Sequence, residues 1–72
     1  MIRINKHEFP WREGMTLNTA VSLALADERF YELSNIPVIY IVNGKVMDSF
    51  RIDSVILDDE DEIMVSPISD GG

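Results

Sequence analysis

The apolar positions change period along the chain, and each period predicts an element. Ile2 and Ile4 alternate with Arg3 and Asn5, the period of two that marks a half-buried strand. Asn5-Lys6-His7 reads as a turn, with His7 a lone solvated side chain. Beyond it Phe9 and Trp11 continue an alternation around Pro10, which suits a strand edge because its missing N–H costs no ladder bond there. Residues 1–12 are thus expected to form a hairpin with an outer second strand, Phe9 and Trp11 serving as core or rim packing. Glu13-Gly14 breaks that pattern. Thr16 then stands as the N-cap ahead of Leu17, Ala20, Val21, Ala24 and Leu25, whose spacing is one face of a short helix. At roughly ten residues such a helix is marginal alone, so its stability must come from laying the Leu17/Val21/Leu25 stripe on a sheet. Residues 27–34 are compatible with a helical extension or a packed loop through Phe30, Tyr31 and Leu33.

After Pro37 the run Val38-Ile39-Tyr40-Ile41-Val42 is wholly β-branched or aromatic and ends on Asn43-Gly44, a strong two-residue hairpin signal. It is expected to be the central strand, with one face on the helix and the other covered or open to a partner. Val46 and Met47 begin a short return strand, residues 48–55 read as a loop, and Ile56-Leu57 should anchor that loop to the core. Asp58-Asp59-Glu60-Asp61-Glu62 precedes a last alternating strand through Ile63, Met64 and Val65 that leads by Pro67 to Ile68. The expected class is α+β in the order β-β-α-β-β: a mixed sheet with one helix packed across it. The helix supplies the long crossover that lets the first and last strands lie parallel at the centre. This is the β-grasp, or ubiquitin-like, arrangement, with residues 1–68 forming the domain and residues 69–72 a flexible tail.

Composition narrows the functions open to such a domain. The chain has 72 residues, a net charge of −7 and no cysteine. A domain of this size is too small for a large internal active site. The charge opposes nucleic-acid binding, since no Lys/Arg stripe offsets phosphate repulsion, and it favours a basic partner surface. No disulfide, thiol nucleophile or thiolate metal ligand is available. The opening residues alternate where a signal peptide would be continuously apolar, and no apolar run approaches the ~18 residues of a membrane span. A cytoplasmic location and no membrane partner are expected. The five consecutive carboxylates do not reproduce a calcium-loop spacing, so a solvated turn is expected and no metal.

The end of the chain carries the candidate chemistry. Ser69-Asp70-Gly71-Gly72 follows the last strand signal, and glycine lacks the Cβ that would block a narrow channel. Extended, the residues from Pro67 to Gly72 reach roughly 20 Å, enough to enter a partner's active site while the body stays outside.

Four stretches in order resemble the ubiquitin-like sulfur carriers, the thiamine-biosynthesis carrier (ThiS) and the small subunit of molybdopterin synthase (MoaD). They are Trp11-Arg12-Glu13-Gly14-Met15-Thr16-Leu17, Ile41-Val42-Asn43-Gly44, the segment from Leu57 to Ile63, and Gly71-Gly72. The first two lean toward the thiamine type; Asp61-Glu62-Ile63 with Pro67 and the ending leans toward the molybdopterin type. The resemblance implies that a ubiquitin-activating-type enzyme uses ATP to adenylate the Gly72 carboxylate. A sulfur donor then converts the adenylate to a thiocarboxylate for cofactor biosynthesis, with thiamine thiazole favoured. It implies a protein co-substrate, not an enzyme, with no bound cofactor. Gly72 would be the attachment point and Gly71, Asp70 and Ser69 the access thread. The second partner would be a sulfur-accepting synthase, either thiazole synthase or the molybdopterin synthase large subunit. A ubiquitin-like binding module with an unmodified tail is the reading from another class. Candidate partner-binding residues are Ile39, Ile41, Met64 and Ile68; on the long strand the exposed face is expected to be either Ile39/Ile41 or Val38/Tyr40/Val42. Two residues depart from the family pattern. Glu60 occupies a glycine position in the acidic turn, at a cost on the order of 1 kcal/mol if that turn requires positive φ. Asp70 sets a second negative charge beside the reacting carboxylate.

Overall fold

Sheet geometry decides where this chain can present a surface. The computed structural model describes residues 1–68. Strands β1 (Ile2–Ile4) and β2 (His7–Phe9) form the first hairpin, helix α1 (Leu17–Leu25) follows, and β3 (Val38–Val42) and β4 (Lys45–Met47) form the second hairpin before β5 (Glu62–Pro67). The five-stranded sheet runs β2-β1-β5-β3-β4. β1 and β5 are parallel, with Arg3 opposite Glu62 and Ile4 opposite Ile63, while every other pair is antiparallel. The order is therefore β-β-α-β-β-β with the return strand counted, and the parallel pairing of the first and last strands follows the expectation.

The place of β1 and β5 at the centre follows it too; what differs is the place of β3. β5, not β3, is the middle strand, flanked by β1 on one side and β3 on the other. Apolarity on both faces of β3 suggested the centre, yet β5 alternates strictly because only one of its faces is covered.

Both hairpins close on two-residue turns whose central residues all have positive φ: Asn5 (50°) and Lys6 (71°) in the first, Asn43 (49°) and Gly44 (85°) in the second. That geometry matches the right-handed twist of the flanking strands. The first turn is thus Asn5-Lys6. His7 is not in it but opens β2 opposite Ile4, half-buried, with its ring edge-on to Phe30 at 5.6 Å between centroids. β2 stops at Phe9, short of the expected run through Trp11. Pro10 lacks the N–H that would extend the ladder, and Trp11 turns inward, donating from Nε1 to the Leu57 carbonyl at 3.0 Å.

Thr16 caps α1 as expected, its hydroxyl accepting from the Thr19 N–H at 3.2 Å. Leu17, Ala20, Val21 and Ala24 are buried against Ile2, Ile4, Phe9, Val42, Ile63 and Val65 of the sheet, with Met15, Phe30 and Leu57 closing the core; Leu25 packs at its margin. Residues 28–33, left open by the sequence, form a 3-10 segment (Glu28–Leu33) capped by the Asp27 carboxylate and pinned by buried Phe30. In residues 48–55 a shorter 3-10 turn (Ser49–Arg51) interrupts the loop. Leu57 anchors that loop, 1% exposed, whereas Ile56 is 57% exposed, because alternation at this isolated bridge sends neighbouring side chains to opposite sides. Among the described residues no helix is long and apolar enough to cross a membrane.

Candidate functional site

Residues directly opposite on paired strands share a face of the sheet, and this rule resolves the choice left open on β3. Val42 lies in the core and Val38 and Tyr40 pack against it. Ile39 and Ile41 therefore occupy the face turned away from α1. Ile41 stands opposite both Val46 and Met64, and Ile39 opposite Ser66. Val46 is 68% exposed and Met64 50%. These side chains form an apolar strip across three strands, with no element packed over it among the described residues.

The strip has a polar border. Arg3 and Glu62, opposite on β1 and β5, form an ion pair at 3.6 Å on this same face. Between Arg3, Lys6, Ile41, Asn43 and Met64 lies a shallow open depression of about 550 Å³. Three of the proposed partner-binding residues, Ile39, Ile41 and Met64, are thus brought together. Ile68, 50% exposed, sits at the end of β5, where its N–H donates to the Pro37 carbonyl at 3.1 Å. Ser69, Asp70, Gly71 and Gly72, the candidate access thread and attachment point, lie outside the described residues.

At the other end of β5 the acidic run folds as a hydrogen-bonded turn. Asp61 accepts from the Asp58 N–H at 2.8 Å and from the Asn43 side-chain amide at 2.9 Å, and the Asn43 side-chain oxygen accepts from the Glu62 N–H at 3.0 Å. Its carboxylate is thereby occupied in closing the turn. Glu60 adopts φ 74°, so the acidic turn does hold a non-glycine residue in the left-handed region. No group of three metal-binding side chains occurs among the described residues.

A second charged cluster joins the 3-10 segment to β2. The Arg29 guanidinium donates to both oxygens of Asp27 at 3.0 and 2.9 Å, lies 5.4 Å from the centroid of the Phe9 ring, and approaches His7 Nδ1 at 3.2 Å. Hydrogen bonds from the Arg29 side chain and backbone lower the Asp27 pKa from 3.8 to about 2. His7 is therefore a packing residue, not the isolated solvated side chain expected from the sequence. No polar or charged residue is buried among the described residues.

Two features escaped the sequence. Val46 belongs to the exposed strip, which only the β3–β4 register reveals. Asn5, read as a turn residue, also reaches β5 sixty residues away: its side-chain oxygen accepts from the Val65 N–H at 2.8 Å and its amide donates to the Val65 carbonyl at 3.0 Å. Nothing local to Asn5 signals that contact.

No protein-family model matches the chain, and no curated protein matches it by sequence. A search of solved structures finds the crystal structure of a thiamine biosynthesis protein (ThiS) from Geobacter metallireducens, similar at a TM-score of 0.68 over 99% of this chain and 97% of that one, with 19% sequence identity. At that identity the likeness is one of backbone architecture, and it agrees with the strand order and crossover above: the chain has the ubiquitin-like β-grasp fold.

Proposed function

We propose that this protein is a sulfur carrier of the thiamine type, a co-substrate whose Gly72 carboxylate is activated by a partner. The observation that carries the reading is a likeness over 99% of the chain to a thiamine biosynthesis protein, joined to the Gly71-Gly72 sequence that follows the central strand. A glycine carboxylate is ionised and unreactive toward nucleophiles at neutral pH. In the proposed sequence a ubiquitin-activating-type enzyme transfers AMP from ATP to one carboxylate oxygen, releasing pyrophosphate. A sulfur nucleophile then attacks the carbonyl carbon and AMP leaves with that oxygen, giving the thiocarboxylate. Gly71 and Gly72 supply a thread without side-chain bulk, and Ser69 and Asp70 lengthen its reach.

The open strip of Ile39, Ile41 and Met64, with Ile68 beside the thread, is the surface proposed for the activating enzyme and afterwards for the accepting synthase. A partner acting on Gly72 must lie within the roughly 14 Å that four extended residues span from Ile68, which brings its body against this end of the sheet. The reading places the protein in the cytoplasm with its ATP-using partner, and with no bound cofactor of its own.

The test is a mass measurement. Incubated with ATP, the activating enzyme and sulfide, the intact protein should gain roughly 16 Da as one oxygen is replaced by sulfur. A chain lacking Gly72, and one carrying an extra C-terminal alanine, should stay folded and gain nothing, because the reacting carbon would be displaced from its required position. Sulfur loading of either variant at the wild-type rate would refute the reading. Loading of wild type together with a stable complex to a molybdopterin-type large subunit would favour the small-subunit alternative, and failure of wild type to load would favour a binding module with an unmodified tail.

A further inference from the structure

β1 ends at Ile4 and its backbone turns away, but β5 runs on to Pro67. On the side facing β1, the groups of β5 left without a neighbouring strand begin at Val65. The 3-10 segment Glu28–Leu33 packs near this end of β5, and Asn5 supplies the hydrogen bonds. Its backbone N–H donates to the Ile63 carbonyl at 2.9 Å, and its side-chain amide takes both the N–H and the carbonyl of Val65 at 2.8 and 3.0 Å. A primary amide offers the same donor and acceptor pair as a peptide unit, so the side chain extends the parallel ladder by one residue after the main chain has left. The next residue on that side is Pro67, opposite Val38 as Val65 is opposite Tyr40, and proline has no N–H to leave exposed. The opposite side of β5 stays paired with β3, through Ile39 with Ser66 and then the Ile68 N–H on Pro37. The segment from which residues 69–72 depart is thus gripped on both sides, by β3 along its length and by one side chain from the first hairpin.

We infer that Asn5 is a positioning residue: its side-chain amide holds the end of β5 at Val65 in one place, so that the described segment through Ile68 need not be ordered when a partner docks beside it. The functional half of this inference rests on the carrier reading; the structural half does not. Asn5 touches neither Gly72 nor the reacting atoms and acts only through Val65. Loss of the clamp removes the hydrogen bonds on one side of the end of β5 and loosens it, and ordering it again on binding weakens productive association without altering chemistry in the bound state.

The variant of choice is Asn5→Gly, which keeps the positive φ of 50° at this position without strain and removes only the side chain. Asn5→Asp retains an acceptor for the Val65 N–H, tolerates the same backbone conformation and loses the donor. Two readouts separate the inference from the carrier reading. The first is backbone 15N relaxation: in wild type Ser66 and Ile68 should show order parameters of about 0.85, falling toward about 0.6 in Asn5→Gly and lying between in Asn5→Asp. Unchanged order parameters would overturn the inference whatever the protein does. The second is adenylation kinetics with the activating enzyme, at a temperature where every variant is folded by circular dichroism. Asn5→Gly should raise KM by about fivefold, the equivalent of about 1 kcal/mol of hydrogen bonding, and leave kcat unchanged. An unchanged KM, or a fall in kcat alone, would overturn the positioning role. Wild type that is never adenylated would defeat the carrier reading, and the relaxation measurement would still decide whether Asn5 holds the root of the tail.

Discussion

Replacing Lys6 with glycine should make the protein more stable, and the structure supplies both the reason and an internal control. The two hairpin turns have the same backbone. Asn5 and Asn43 share φ near 50°, and the second turn residue is at 71° for Lys6 and 85° for Gly44. A side chain in the left-handed region sets Cβ against the following carbonyl at roughly 1–2 kcal/mol. Glycine avoids that but loses about 0.5–1 kcal/mol more backbone freedom on folding. Lys6 is exposed and makes no ion pair among the described residues, so little else is removed. The net expectation for Lys6→Gly is a gain of about 0.5–1 kcal/mol, or roughly 3–6 °C in Tm for a domain of this size. The converse change, Gly44→Ala, should lose about 1 kcal/mol through the backbone alone, because a Cβ there would meet nothing within 4 Å. Urea unfolding followed by circular dichroism measures both. If Lys6→Gly is neutral or destabilising while Gly44→Ala destabilises as expected, the equivalence of the two turns is wrong.

Three further outcomes can be checked. Leu57→Ala should lose about 2–5 kcal/mol, since Leu57 is 1% exposed and lies in the core; the fluorescence of Trp11, whose indole N–H bonds the Leu57 carbonyl, would follow the transition. Asp27 is held at about pH 2 by Arg29; a carboxylate with a lowered folded pKa stabilises the fold above its unfolded value near 4, and that contribution disappears as pH falls from about 4 toward 2. Asp27→Asn should therefore flatten the acid limb of the stability profile, and a limb identical to wild type would show that Asp27 contributes nothing to it. Met64→Glu, on the open face, should change Tm by less than about 3 °C yet weaken binding to the activating enzyme at least tenfold in a titration; unchanged affinity would move the docking surface elsewhere.

What was legible in the sequence was what local period and turn chemistry encode. Thr16 with the Leu17/Val21 stripe specified α1, and Asn43-Gly44 specified the second hairpin, because each signal lies within a few residues of the structure it produces. Apolar content points to β3 as the central strand, but the middle of the sheet belongs to the alternating β5. Ile39 and Ile41 lie on the open face, so their apolarity does not mark a strand covered on both sides. His7 could not be read as a packing residue, since Phe30 and Arg29 reach it from a segment with no clear period. The candidate surface divides in the same way. The unbroken run of β3 leaves Ile39/Ile41 and Val38/Tyr40/Val42 as alternatives, and that Ile39 and Ile41 share one strip with Met64 and Val46 depends on the register among β3, β4 and β5, as the Asn5 clamp depends on that between β1 and β5.

The position of β5 in the sheet has a consequence for synthesis. The two hairpins, β1–β2 and β3–β4, do not pair with each other; each is joined to the sheet only through β5. A nascent chain that has not yet released residues 62–67 holds two separate hairpins and a helix with nothing continuous to pack on, and an isolated hairpin is marginal in water. Folding must wait for the last strand, so a polypeptide that ends before β5 is complete is left open to proteolysis. The fold thereby acts as a proofreader of length, rejecting chains that stop before the segment leading to Gly71 and Gly72.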